Sequence, residues 1–161
     1  GAADRGLQIE LFYILCAIAG EFKLPLILSV RRDHAGMLER LKTVTSSVHG
    51  IGIRGLVHHF TGSKHEAREY AAMDFLISLT SALVDSHVRH EVIVEAPASR
   101  IIVESLCPLF SLATVSPRAH PMHLEQTTAR MANLRKISPD EIQKQSTQNA
   151  LRLFSRMLRA V

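Results

Sequence analysis

A chain of 161 residues can bury one sizeable core, and 47% apolar residues exclude it from the disordered class. Two cysteines exclude a disulfide framework, and the longest apolar run, Leu11 to Ala19, falls short of the roughly 20 residues a membrane-spanning helix needs. The net charge of +4, carried mostly by arginine, suits contact with phosphate or an acidic partner without diagnosing either.

The chain alternates between helical and strand signals. Gln8 to Lys23 reads as a helix, with Cys16 packing inside it. Leu24 to Val30 follows as a buried strand. His34 to Val48 is helical, with Met37, Leu38, Leu41 and Val44 on one face. Ile53 to Phe60 reads as a strand, Lys64 to Met73 as a helix, and Phe75 to Thr80 as a third strand. A helical stretch covers His87 to Glu95, and Arg100 to Leu106 is the fourth strand. A loop rich in proline and histidine follows. Two helices, near Met122 to Leu134 and Pro139 to Leu158, close the series. Ser138-Pro139-Asp140-Glu141 is a complete start signal for the last one, with serine as N-cap, proline at the first position and glutamate three residues after the cap.

Strands separated by helices of this length predict βαβ units and a parallel sheet. Continuous aliphatics such as Leu26-Ile27-Leu28 predict strands buried on both faces. Four such strands suit a small open α/β domain or half of an eight-stranded β/α barrel. Residues 1–161 are read as a single domain. Gly1 stands where an initiator methionine is usual, so upstream residues are expected to have been removed or left out.

Five segments carry a resemblance. Gln8, Phe12 and Leu24-Pro25 have the spacing of one helix-to-strand entry. Gly55-Leu56-Val57-His58-His59-Phe60-Thr61-Gly62-Ser63 carries histidine, an aromatic and Thr-Gly. Arg100 to Pro108 resembles a strand that normally reads Glu-Thr-Asp-small-Pro. Arg118 and Pro121 match an Arg-Asn-Glu-Pro loop, and Thr147 to Phe154 matches a closing helix. In this order and with these gaps they resemble the C-terminal portion of the TatD family of metal-dependent deoxyribonucleases, which are β/α barrels. The resemblance implies an α/β fold: the C-terminal half of a TatD-like TIM-type barrel, four parallel strands with flanking helices.

The departures from the family pattern bear on function. Family members hold two divalent metals through an N-terminal His-x-His, a strand glutamate, two later histidines and an aspartate. The first three of these ligands lie upstream of this chain. The two later histidines align with Ser29 and His58, and the aspartate with Leu106. The loop asparagine and glutamate align with Ala119 and His120. His58 is thus the one family ligand retained, with Ser29 and Leu106 replacing the others. A two-metal centre needs several anionic or imidazole ligands around each ion, so no metal, cofactor or catalytic residue is expected.

Other residues offer little compensation. His58 and His59 are expected on opposite faces of one strand. His87 with His90, and His120 with His123, are spaced to face together on a helix. Glu104 reads as a hydrogen-bonding remnant. Gly50 to Gly55 reads as a turn leading into a strand, and no nucleophile elbow or phosphate loop is present.

Tyr13, Ile14, Leu15 and Ala17 fall where the family's helix carries polar residues, which leaves the first helix apolar nearly all round. A partner, or a missing barrel half, is expected to cover the helix around Tyr13 to Ile18 and the two bare edges of an open sheet. The expected role is therefore a catalytically silent TatD-like pseudoenzyme acting as a structural or interaction subunit. The favoured setting is a ribonucleoprotein inside the cell, in a mitochondrion or other organelle, with RNA contacted through basic surface such as Lys144, Arg152, Arg156 and Arg159. A TatD-type deoxyribonuclease completed by a missing N-terminal half is the competing reading. Nucleic-acid binding without cleavage is the third.

Overall fold

Asp4 opens the first helix: its carboxylate accepts the Gly6 N–H at 2.9 Å, and α1 runs from Arg5 to Phe22. Lys23 ends it in the left-handed conformation, with φ at 54°. This is a computed structural model, and it describes residues 4–47, 52–81, 90–107 and 120–156. After α1 come β1 (Leu26–Ser29), α2 (His34–Thr45), β2 (Gly55–His58), α3 (Lys64–Ala72), β3 (Phe75–Leu79), α4 (His90–Glu95), β4 (Ile101–Val103), α5 (His123–Arg135) and α6 (Pro139–Leu153). A short 3₁₀ turn, Ala98–Arg100, leads into β4.

The four strands form one parallel sheet in the order β1-β2-β3-β4. Strand alternation then divides the side chains between two faces. Leu28, Val57, Phe75, Ile77 and Ile101 point toward the helices and join the main core with Leu41 of α2, Tyr70 of α3, Ile93 of α4 and Met131 of α5. Leu56, Leu76 and Ile102 point the other way, toward what would be the interior of a barrel. There they meet Leu153, with Ala150 and Phe154 beside it. Ile27, on the same inner face of β1, stays 61% exposed.

Gly55 is required where β1 and β2 meet. A Cβ there would lie 2.3 Å from the Leu26 carbonyl oxygen and 2.5 Å from the Phe75 ring. The predicted strands and helices appear in their predicted order, with the strands trimmed at their ends. The expected helix ends at Val48 and Leu158, the helix start at His87, the turn at Gly50, and the positions Arg118 and Arg159 lie outside the described residues.

The expectation of two bare sheet edges is corrected on one side. On the edge of β4 away from β3, the Val103 N–H donates to Ser146 Oγ at 2.9 Å, and the Ile101 carbonyl accepts from the Asn149 amide at 2.7 Å. Polar side chains of α6 thus satisfy backbone groups that an adjacent strand would otherwise take. Asn149 is buried and also donates to the Ala98 carbonyl at 2.8 Å, fixing α6 against this edge. Beyond α6, Arg156 donates to the carbonyl of Phe22 at 2.7 Å. The segment therefore reaches from the β4 side of the sheet to the end of α1.

The first helix is exposed over most of its surface. Its inward face is small, consisting of Cys16 and Ala19 with Phe12 beside them. Burial pushes the Cys16 thiol up to about 11. The opposite face carries Leu7, Leu11, Ile14, Leu15, Ile18 and Phe22, all exposed. Leu7, Leu11, Ile14 and Ile18 repeat at intervals of four, three and four residues, the spacing of a helix-packing seam. The apolar residues thus form an outward stripe on a helix that is not enclosed within the chain. Among the described residues, no helix is long and apolar enough to cross a membrane.

Candidate functional site

Ser29 and His58 are the last residues of β1 and β2, and the strand register sets them side by side. Leu106 follows β4. All three line one open cavity of about 380 Å³ at the carboxyl ends of the strands, together with Val30, Arg31, His59 and Thr61. The three positions singled out in the sequence thus converge in space, although Leu106 lies 48 positions after His58.

His58 Nδ1 lies 3.0 Å from the carboxylate of Glu104, just beyond β4. The same carboxylate accepts the His59 N–H at 2.8 Å. Glu104 therefore ties the end of β2 to the end of β4, and the reading of it as a hydrogen-bonding residue matches this geometry. The pairing occupies one ring nitrogen of His58 and sets the orientation of the imidazole.

His59 departs from the expectation of opposite faces. The strand ends at His58, and His59 takes a left-handed backbone with φ at 48°. Its N–H also meets Ser78 Oγ at 2.8 Å, and its Nδ1 lies 3.0 Å from Thr80 Oγ1. Its ring is 6.4 Å from that of His58, and both line the cavity. Strand alternation does not extend through a positive-φ residue, which is why the period-two reading fails there.

His34 and Thr61 form a support that sequence reasoning missed. Buried at the start of α2, His34 places Nε2 3.2 Å from Thr61 Oγ1 and Nδ1 3.3 Å from the Tyr70 hydroxyl. The Thr61 hydroxyl also donates to the Arg31 carbonyl at 3.4 Å, joining two of the cavity's walls. The nearest sequence signal is His34 directly after Asp33, which caps α2 by accepting the Gly36 N–H at 2.9 Å.

His120 and His123 serve a local turn. His120 Nδ1 accepts the Met122 N–H and His123 Nδ1 accepts the His120 N–H, both at 3.2 Å, which folds the turn before α5. His87 and Ala119 lie outside the described residues. Among the described residues, no group of three or more His, Cys, Asp or Glu side chains is arranged to hold a metal ion. A hydroxyl at 29, one imidazole at 58 and an isobutyl group at 106 do not fit a two-metal centre.

A family model described as TatD related DNase matches residues 2–155. An uncharacterized metal-dependent hydrolase of Bacillus subtilis, YabD, is 29% identical over 155 residues, covering 94% of this chain and 59% of the bacterial protein. The putative deoxyribonuclease tatdn3 of Danio rerio is 27% identical over 155 residues, covering 96% of this chain and 55% of its own. A crystal structure of a hydrolase TatD family protein from Entamoeba histolytica superposes with a TM-score of 0.78 at 18% identity, over 94% of this chain and 57% of that one. The chain therefore spans somewhat more than half the length of the relatives it matches. The superposition shows the fold: four parallel strands with flanking helices, corresponding to part of a TatD β/α barrel.

Proposed function

The chain belongs to the TatD related DNase family of metal-dependent hydrolases, and from that premise we propose that it is a catalytically silent member serving as a structural or interaction subunit. One observation carries this reading. The three positions that match family ligands converge on a single cavity, and of the three only position 58 carries an imidazole; His59 lines the cavity too but does not stand at a ligand position. A two-metal phosphodiesterase needs ligands that hold both ions against the attacking and leaving oxygens. Ser29 and Leu106 remain non-ligands whatever other segments accompany the chain.

The competing reading is a metal-dependent nuclease completed by a further segment, which the partial coverage of the relatives favours. An assay separates the two. Protein supplied with magnesium, manganese or zinc is expected to degrade single- and double-stranded DNA no faster than its His58→Ala variant. Metal-dependent cleavage that vanishes in that variant rules out silence.

The outward stripe of α1 supports the interaction half of the reading, because an exposed apolar surface of this kind marks partner sites. The arginine-rich charge supports a setting beside phosphate, such as a ribonucleoprotein in an organelle. Native protein sized in gentle lysate is expected to migrate in a large species that shifts on ribonuclease treatment. A small species indifferent to ribonuclease and salt rules that setting out.

A further inference from the structure

The amino ends of the strands hold a second cavity, remote from the one built on His58. Lys23 at the end of α1, Arg54 just before β2 and Arg156 beyond α6 line a depression of about 330 Å³. Local bonds draw the three together. The Arg54 carbonyl accepts the Leu26 N–H at 2.9 Å, and Arg156 donates to the carbonyl of Phe22, the neighbour of Lys23. The rest of the lining is Leu24, Pro25, Leu153, Phe154 and Ser155, with no carboxylate.

Five other cations, Arg5, Lys42, Lys64, Arg68 and Arg100, are held by acidic neighbours. Lys23, Arg54 and Arg156 make no ion pair among the described residues. Converging like charges repel, and without an acidic neighbour an incoming anion is what offsets the repulsion. Guanidinium groups favour phosphate because their planar donors meet its oxygens two at a time. One wall is apolar and includes the ring of Phe154, which is only partly buried. The volume lies at the small end of the range of small-molecule sites.

We propose that this cavity binds a nucleoside di- or triphosphate, with the phosphates on Lys23, Arg54 and Arg156 and the base against Pro25 and Phe154. The site is independent of the catalytic silence of the other cavity, since it shares no residue with it. Titration of the full chain with ATP, in EDTA so that no metal bridges the phosphates, tests the assignment. Saturable binding is expected, at least about tenfold weaker in the Lys23→Gln, Arg54→Gln double variant, where two of three phosphate contacts are lost. Lys23→Arg keeps the charge and is expected to retain binding, which separates a lost contact from a lost fold. Lys136→Gln, at an exposed cation after α5 and outside the cavity, is expected to change nothing. Adenosine alone is expected not to bind, and tripolyphosphate to bind more weakly than ATP. Absence of saturable binding, insensitivity to the double variant, an equal loss in Lys136→Gln, or tripolyphosphate matching ATP would each overturn the proposal. DNA hydrolysis, measured separately, reports on the silent cavity alone.

Discussion

Ser29→His combined with Leu106→Asp is expected to turn the cavity at the carboxyl ends of the strands into a site for one divalent metal. Ser29 is already the register neighbour of His58, and Leu106 lines the same space. Glu104 already holds one nitrogen of His58, leaving the other for coordination, as a carboxylate behind a ligating histidine does in metal sites. Two imidazoles and a carboxylate with an open fourth position suit zinc. Calorimetry should show zinc binding to the double variant and none to the parent. At zinc concentrations a hundredfold above the dissociation constant, binding should raise stability by about 2.7 kcal/mol. A folded double variant that binds no zinc would mean that the three positions do not converge closely enough to share an ion.

Tyr70→Ala is expected to cost about 4 kcal/mol in urea unfolding, in the middle of the range for removing a large buried ring. The ring is fully buried, with centroids 5.9 Å from His34, 6.1 Å from Phe60 and 6.4 Å from Phe75. Burial also pushes its phenol well above the ordinary tyrosine range, so the hydroxyl stays neutral and available to His34. Tyr70→Phe removes only that hydrogen bond and should cost about 1 kcal/mol. Equal losses in the two variants would place the hydroxyl, rather than the ring, at the centre of the packing.

The strands were legible because each is a short aliphatic run bounded by a turn, and the helices because their caps are written locally. Ser63 and Glu66 form a reciprocal capping box at the start of α3, and Ser138 accepts the Glu141 N–H at the start of α6. The convergence of Ser29, His58 and Leu106 followed from the family resemblance, which sets residues at the ends of different strands around one barrel mouth. Three features were hidden. The left-handed turn at His59 falls on a residue with no strong preference for positive φ, so the strand pattern seemed to run on through it. The inward side of α1 could not be told from its outward side, because apolar residues occupy both. The grip of Ser146 and Asn149 on β4 joins residues more than 40 positions apart, beyond the reach of any local pattern.

That grip has a consequence for how copies of the chain can associate. Fibrillar growth by strand addition needs two open edges, one to accept and one to offer, so that each added molecule leaves a fresh edge behind it. Here α6 blocks the β4 side, so among the described residues strand addition can enter through β1 alone. Two molecules joined β1 to β1 about a two-fold axis would leave no further edge to extend from, so such pairing terminates at a closed dimer instead of propagating.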